Sequence, residues 1–154
     1  MNRREFFGMA SVGALAAGFV AYRMLQTGDG DAADPDLVVN RTDAEWRAIL
    51  SPAAYAVLRE GHTEKPGTSP LVQEHRVGTF ACAGCEQPLF SSTAKYDSRT
   101  GWPSFWEALP GATTRHADFK LATPRTEIRC SDCGGHLGHV FTDGPPPTGK
   151  RYCM

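Results

Sequence analysis

The chain has almost no surplus of charge. Sixteen basic residues against seventeen acidic ones leave a formal net charge of −1, without the basic excess that nucleic acid binding requires. It also lacks an apolar run suited to a comfortable membrane span, since the longest, Phe6 to Tyr22, is short and rich in glycine and alanine. Beyond Pro66 no long helical period survives, and nothing repeats except two short C-x-x-C knuckles. In 154 residues these absences leave a single domain once an amino-terminal segment is set aside. Glycine (16) and proline (11) are plentiful, which favours short strands joined by turns.

The opening "MNRREFFGMASVGALAAGFVAYRML" sets Arg3-Arg4 ahead of the apolar run, an order that resembles a twin-arginine export signal. Residues 1–26 are therefore expected to be a signal or anchor segment, and 27–40, "TGDGDAADPDLVVN", an acidic flexible linker. The domain is expected to run from Arg41 to Met154. The route implies an exported protein, periplasmic or membrane-tethered and facing away from the cytoplasm. Thiols are prone to oxidation in that compartment.

Two short helices are predicted at the start of the domain. Thr42 and Glu45 form a capping-box pattern ahead of Trp46, Ile49 and Leu50. Ser51-Pro52 supplies a second N-cap with proline in the first turn, and Ala54, Val57 and Leu58 carry the apolar face to a stop at Gly61. The later runs "TFAC", "PLFSS", "TEIRC" and "HVFTD" are β-prone and bounded by turns, which points to antiparallel sheets.

Five cysteines divide unevenly. Cys82 with Cys85, and Cys130 with Cys133, form two knuckles whose four thiolates suit one tetrahedral zinc. The 44 residues between the knuckles exceed the spacing of a compact ribbon, so the ion would clamp two hairpins distant in sequence. A closed four-sulfur shell makes such a zinc structural. Two disulfides, or a redox-active pair, fit the same spacing in an exported chain. Either way Cys153 is left over.

A free thiol is mostly protonated at neutral pH, and Lys150 and Arg151 beside Cys153 would favour its thiolate. His136 and His139 lie upstream as potential proton donors. "GWPSFW" offers Trp102, Phe105 and Trp106 as an aromatic pocket wall in a proline-fixed loop. Taken singly, each has a plainer reading: an incidental thiol, core histidines, packed aromatics.

Together these stretches resemble the B-type peptide-methionine (R)-S-oxide reductases. The likeness runs from about Thr42 to the last residue, through "YAVLREGHTEKPGTSPL", "FACAGCEQPLFSSTAKYDS", "GWPSFW" and "PRTEIRCSDCGGHLGHVFTDGPPPTGKRYC". It implies a mainly β fold, two antiparallel sheets forming an open barrel-like core with short N-terminal helices. It further implies that Cys82, Cys85, Cys130 and Cys133 hold structural zinc, that Cys153 is the nucleophile, and that His136, His139 and Trp102 line the site. Phe105 and Arg151 are expected to join Trp102 in binding substrate.

The implied reaction is reduction of methionine-R-sulfoxide in oxidised proteins. Cys153 attacks the sulfoxide sulfur, a histidine protonates the oxygen, and the resulting sulfenic acid is recycled by an external thiol such as a thioredoxin-like protein. Two other classes fit less of the pattern: a zinc-knuckle module that binds peptides without turnover, and a thiol redox sensor.

The chain departs from the family pattern in places. Many relatives carry a recycling cysteine just before "GWPSF", where this chain has Thr100. Relatives also continue past the nucleophile, so the C-terminal end reads as incomplete, and a thiol so near a chain end is expected to fray and react slowly. His116 lies near where relatives carry a further histidine, without a secure match.

Overall fold

A computed structural model of the chain describes residues 36–154. The expected export segment and the linker up to residue 35 lie outside the described residues. Among those described, no helix is long and apolar enough to cross a membrane.

Helix α1, Asp43–Ile49, starts as its capping box requires: Glu45 N–H donates to Thr42 Oγ1, and Thr42 N–H donates to the Glu45 carboxylate. Helix α2, Pro52–Leu58, is capped by Ser51 Oγ, which accepts from Ala54 N–H at 3.2 Å. The chain before them is tied down earlier than expected. Val39 N–H donates to the Asp132 carbonyl at 2.8 Å, and Leu37 packs where a Cβ on Gly134 would sit. Leu37 and Val39 are thus tied to the domain within the stretch expected to be linker, while Val38 between them is exposed.

Eight strands follow in two antiparallel sheets. Strands β1 (Thr79–Ala81) and β2 (Pro88–Ser91) make a hairpin of their own. The other six are β3 (Lys95–Tyr96), β4 (Ser104–Phe105), β5 (Thr113–Asp118), β6 (Arg125–Cys130), β7 (His136–Phe141) and β8 (Arg151–Cys153). They form one open sheet in the order β3-β4-β8-β7-β6-β5. The short runs expected to be strands are strands, and the "GWPSFW" loop contributes β4 as well.

The pleat of this sheet separates chemistry from core. Residues directly opposite each other across a ladder share a face. Lys95, Phe105, Tyr152, Val140 and Thr126 follow one another in register across the sheet. In this rank Phe105 and Tyr152 turn to the core, where Phe105 stacks on Phe90 of β2 with ring centroids 4.5 Å apart. Phe80 of β1 meets Phe105 edge-on at 5.0 Å, and Tyr152 meets Phe90 at 5.7 Å. These rings join the two sheets.

The adjacent rank is polar. Tyr96, Ser104, Cys153, His139, Glu127 and His116 lie opposite one another in turn. One residue of offset between ranks decides whether a side chain is core or chemistry.

Candidate functional site

Two sulfur sites arise from this scaffold. The first knuckle lies in the turn of the β1–β2 hairpin and the second in that of β6–β7. All four sulfurs lie within 4.8 Å of one another, with Cys82 Sγ 3.7 Å from Cys133 Sγ and Cys85 Sγ 3.5 Å from Cys130 Sγ. The close pairs run between knuckles, and all five cysteines are free thiols. A disulfide would place two sulfurs about 2.05 Å apart. A tetrahedral ion with metal–sulfur bonds of about 2.3 Å spaces its sulfurs about 3.8 Å apart, close to what is found. The four cysteines can therefore hold a metal ion.

Helices α1 and α2 roof this cluster. Trp46 packs at Gly84 and Leu58 at Gly135, where added methyl groups would meet them at 3.3 and 3.1 Å. Arg59 donates to the Cys133 carbonyl at 2.9 Å. Cys130 accepts hydrogen bonds from Cys133 and Cys82 that lower its pKa, whereas burial holds Cys85 above the ordinary thiol range. Burial thus disfavours a thiolate at Cys85 without a cation beside it, and deprotonating all four sulfurs together requires a positive ion among them.

The fifth sulfur is elsewhere. Cys153 lies on β8 between β4 and β7, opposite Ser104 on one side and His139 on the other. Met154 N–H donates to the Pro103 carbonyl at 2.9 Å. Both edges of β8 are paired as far as Cys153, which holds the thiol within the sheet. Gly138 on β7 makes room for this strand, since a Cβ there would lie 2.1 Å from the Cys153 carbonyl oxygen.

His136 and His139 are three residues apart, a spacing that in a regular strand puts side chains on opposite faces. The β6–β7 register shifts between Ile128 and Arg129: Ile128 faces Gly138 and Arg129 faces His136, so β7 carries Leu137 as an extra residue. The bulge reverses the alternation and brings the two imidazoles together, centroids 5.4 Å apart.

Each histidine is backed by a carboxylate, and each carboxylate by an arginine. His139 Nε2 is 2.7 Å from Asp118 Oδ2, which also accepts from Arg125 Nη2 at 2.6 Å. His136 Nδ1 is 2.5 Å from Glu127 Oε1, and Arg129 Nη2 donates to the same carboxylate at 2.7 Å. Hydrogen bonds from Lys120 N–H, His139 and Arg125 hold Asp118 well below the usual carboxylate range. Burial pushes Glu127 upward, but Arg129 and His136 outweigh it and leave it lowered. Burial also lowers His136, against the pull of Glu127, and so favours its neutral form. Both carboxylates stay ionised, accept the imidazole N–H, and leave His139 Nδ1 and His136 Nε2 as the nitrogens without that partner.

A cavity of about 170 Å³ opens over this face, lined among others by Trp102, His136, His139, Phe141 and Cys153. The Trp102 indole N–H donates to the Glu64 carbonyl at 3.0 Å, which fixes the ring at the cavity edge. Thr63 and Glu64 line the same edge.

Of the residues expected at the site, Cys153, His136, His139 and Trp102 are brought together. Phe105 is not. It is 1% exposed and belongs to the inter-sheet core, because it occupies the rank next to Ser104. Arg151 does not line the cavity either. It pairs with Asp143 at 2.9 Å and lies over the Phe141 ring, 4.3 Å from its centroid, so it braces a wall residue. His116 stays on the exposed edge strand, 3.0 Å from Thr114 Oγ1. Asp118, Glu127 and Arg125 were missed by sequence reasoning. The one signal available was a carboxylate inside a β-prone run, as Glu127 beside Ile128, and that alone does not identify its partner.

Comparison with known proteins bears on this geometry. A model of the SelR domain matches residues 50–154. The peptide methionine sulfoxide reductase MsrB of Agrobacterium fabrum is 54% identical over 117 residues, covering 75% of this chain and 87% of that protein. The MsrB of Thiobacillus denitrificans is 55% identical over 115 residues, covering 74% and 87%. Peptide methionine sulfoxide reductase B5 of Arabidopsis thaliana is 50% identical over 125 residues, covering 80% and 88%.

Proposed function

The chain belongs to the SelR domain family of peptide methionine sulfoxide reductases, and from that premise we propose that it reduces the R epimer of methionine sulfoxide through Cys153. The observation that carries the assignment of the nucleophile is its position: Cys153 is the one cysteine outside the four-sulfur cluster, paired in register with His139 in a cavity edged by Trp102.

Cys153 thiolate attacks the sulfoxide sulfur. This forms an S–S bond. As the protonated oxygen leaves the methionine sulfur for the Cys153 sulfur, the S–S bond breaks with its electron pair staying on the methionine, which departs reduced and leaves Cys153 as a sulfenic acid. The oxygen is a poor leaving group until protonated, and His139 supplies that proton. Because Nε2 is committed to Asp118, the transferred proton sits on Nδ1. Ionised Asp118 stabilises the imidazolium that carries it. His136, kept neutral by burial, places no second positive charge beside that imidazolium. Trp102 packs against the substrate methyl group, so methyl, oxygen and peptide stem occupy separate positions and one epimer fits.

Thr100 stands where a recycling thiol would be needed, so regeneration falls to an external thiol. That thiol displaces water from the sulfenic acid to form a mixed disulfide, and a second thiol releases Cys153. A thioredoxin-like protein is suited to both steps. Cys82, Cys85, Cys130 and Cys133 would hold the metal, which four thiolates favour as zinc and which would supply folding energy rather than a site for substrate. The Arg3-Arg4 pair and its apolar run support export by the twin-arginine route to an extracytoplasmic site, free or tethered, where the enzyme repairs proteins damaged by oxidative stress.

The test is turnover of the separate R and S sulfoxides of a blocked methionine with a small dithiol as reductant. Product from the R epimer alone, lost in Cys153→Ser, is expected. Formation of Cys153 adducts without methionine would mark a sensor instead.

A further inference from the structure

Cys153 has a second set of neighbours, away from the histidine wall. Thr100 Oγ1 lies 3.9 Å from Cys153 Sγ. The same hydroxyl is 2.8 Å from Ser98 Oγ, which is 2.7 Å from Ser104 Oγ. Ser104, wholly buried, donates to the Trp102 carbonyl at 3.2 Å. Three hydroxyls therefore run in a line from a fixed carbonyl to the reacting sulfur.

Each hydroxyl has one hydrogen to give, so their directions are linked. With Ser104 donating to the Trp102 carbonyl, Ser98 donates to Ser104 and Thr100 to Ser98. Thr100 Oγ1 then offers the sulfur only a lone pair, which suits a protonated thiol. A thiolate needs the opposite order: Thr100 donates to sulfur, Ser98 to Thr100, and Ser104 to Ser98. Only hydroxyl rotations separate the two orders; no heavy atom moves.

We propose that Ser104, Ser98 and Thr100 form a reversible hydrogen-bond relay that serves both protonation states of Cys153, accepting from the thiol and donating to the thiolate. The proposal rests on Cys153 being the nucleophile. Thr100 touches the reacting sulfur; Ser98 and Ser104 act through it and are positioning residues. No electron moves along the relay and no covalent bond changes.

The titratable groups facing Cys153 are His136 and His139 from β7, Arg151 from its own strand, Tyr96 from β3, Arg125 from β6, and His62 and Glu64 from the segment after α2. None is altered in the variants that follow.

The relay makes a prediction of opposite signs. In Thr100→Val the thiolate loses its donor, so alkylation of Cys153 at neutral pH is expected to slow about tenfold, with its pH profile displaced upward. Thr100→Ser should restore the profile. In Ser98→Ala, Thr100 has no competing acceptor and the reversal no longer strips the Trp102 carbonyl, so the profile should move downward, by about two- to threefold in rate. The full chain is treated with iodoacetamide over a range of pH, and modification at Cys153 is read by peptide mass spectrometry. Unfolding temperature is recorded for each variant, because a merely structural role would lower it and leave the profile in place. A Thr100→Val profile that superposes on the parent overturns the proposal. So does a Ser98→Ala profile that stays put or moves upward. Turnover surviving in Cys153→Ser would instead refute the nucleophile, while the alkylation profiles still decide the relay.

Discussion

Five cysteines of one chain occupy two opposed settings. Three of the knuckle sulfurs are almost wholly buried at the tips of two hairpins, under a roof of Trp46 and Leu58. Their neighbours are one another. Cys153 is half-buried in mid-sheet, with an imidazole across one ladder and a hydroxyl line near its sulfur. The first setting can stabilise charge only by sharing a cation. The second supplies donors that can come and go as the sulfur changes state. What a sulfur can do follows from what its neighbours can give it, and on the proposed reading the same residue type serves as ligand in one setting and nucleophile in the other.

The sharpest way to break this contrast is to remove a knuckle sulfur. Cys133→Ser, or treatment with a strong chelator, is expected to unfold the domain. A structural zinc contributes about 10–16 kcal/mol, as much as the whole stability of an ordinary domain at about 5–15 kcal/mol. Circular dichroism with zinc quantification checks it, and a folded, metal-free Cys133→Ser chain would contradict it. At the other site the effects should divide the opposite way. Cys153→Ser is expected to cut turnover by about 10⁴-fold or more while the unfolding temperature stays within a few degrees.

Phe105 tests the boundary between the two ranks of the sheet. Phe105→Ala should cost about 3–5 kcal/mol in denaturant titrations, with KM for the sulfoxide unchanged in the protein that remains folded. A raised KM without loss of stability would return Phe105 to the substrate pocket. Asp118→Asn leaves the fold's apolar contacts alone but spoils the partner of His139. A fall in kcat of about 10- to 100-fold is expected, with little change in KM.

The smallest effect is a pH dependence. His136 titrates lower folded than unfolded, so its contribution to stability is present above its unfolded pKa of about 6.5 and is lost as pH falls from there toward the folded value. Glu127, also lowered, adds a loss of the same sign below about pH 4.3. Denaturant midpoints should fall on acidification from neutrality, by less than about 1.4 kcal/mol per pH unit for His136 alone. His136→Gln should flatten that part of the curve.

Much of this was legible from residues in order. The capping box at Thr42 and the N-cap at Ser51 are local chemistry and appear where their side chains demand. The knuckles stand out because two pairs of thiols, each separated by two residues, suit a single metal ion, and the family likeness singles out Cys153, His136, His139 and Trp102. Phe105 went astray for a physical reason: it sits beside Ser104 in one motif, and only strand pairing determines which of two neighbours faces the core. Asp118, Glu127 and Arg125 carry no mark of their own. They matter because β6 lies between β5 and β7, a fact of register rather than of local pattern.

The sequence by itself determined the helix starts and the strand-and-turn character, and it singled out four cysteines that could hold a metal ion and Cys153 as the proposed nucleophile, since each depends on residue type and short spacing. Tertiary structure alone decided that both histidines share a face, through the extra residue at Leu137, and that each has a carboxylate and an arginine behind it. It alone placed a hydroxyl line against Cys153. The division has one cause. Caps and knuckles are closed by neighbours along the chain, whereas a sheet's register is settled by contacts among strands far apart in sequence, and a shift of one residue exchanges core for site.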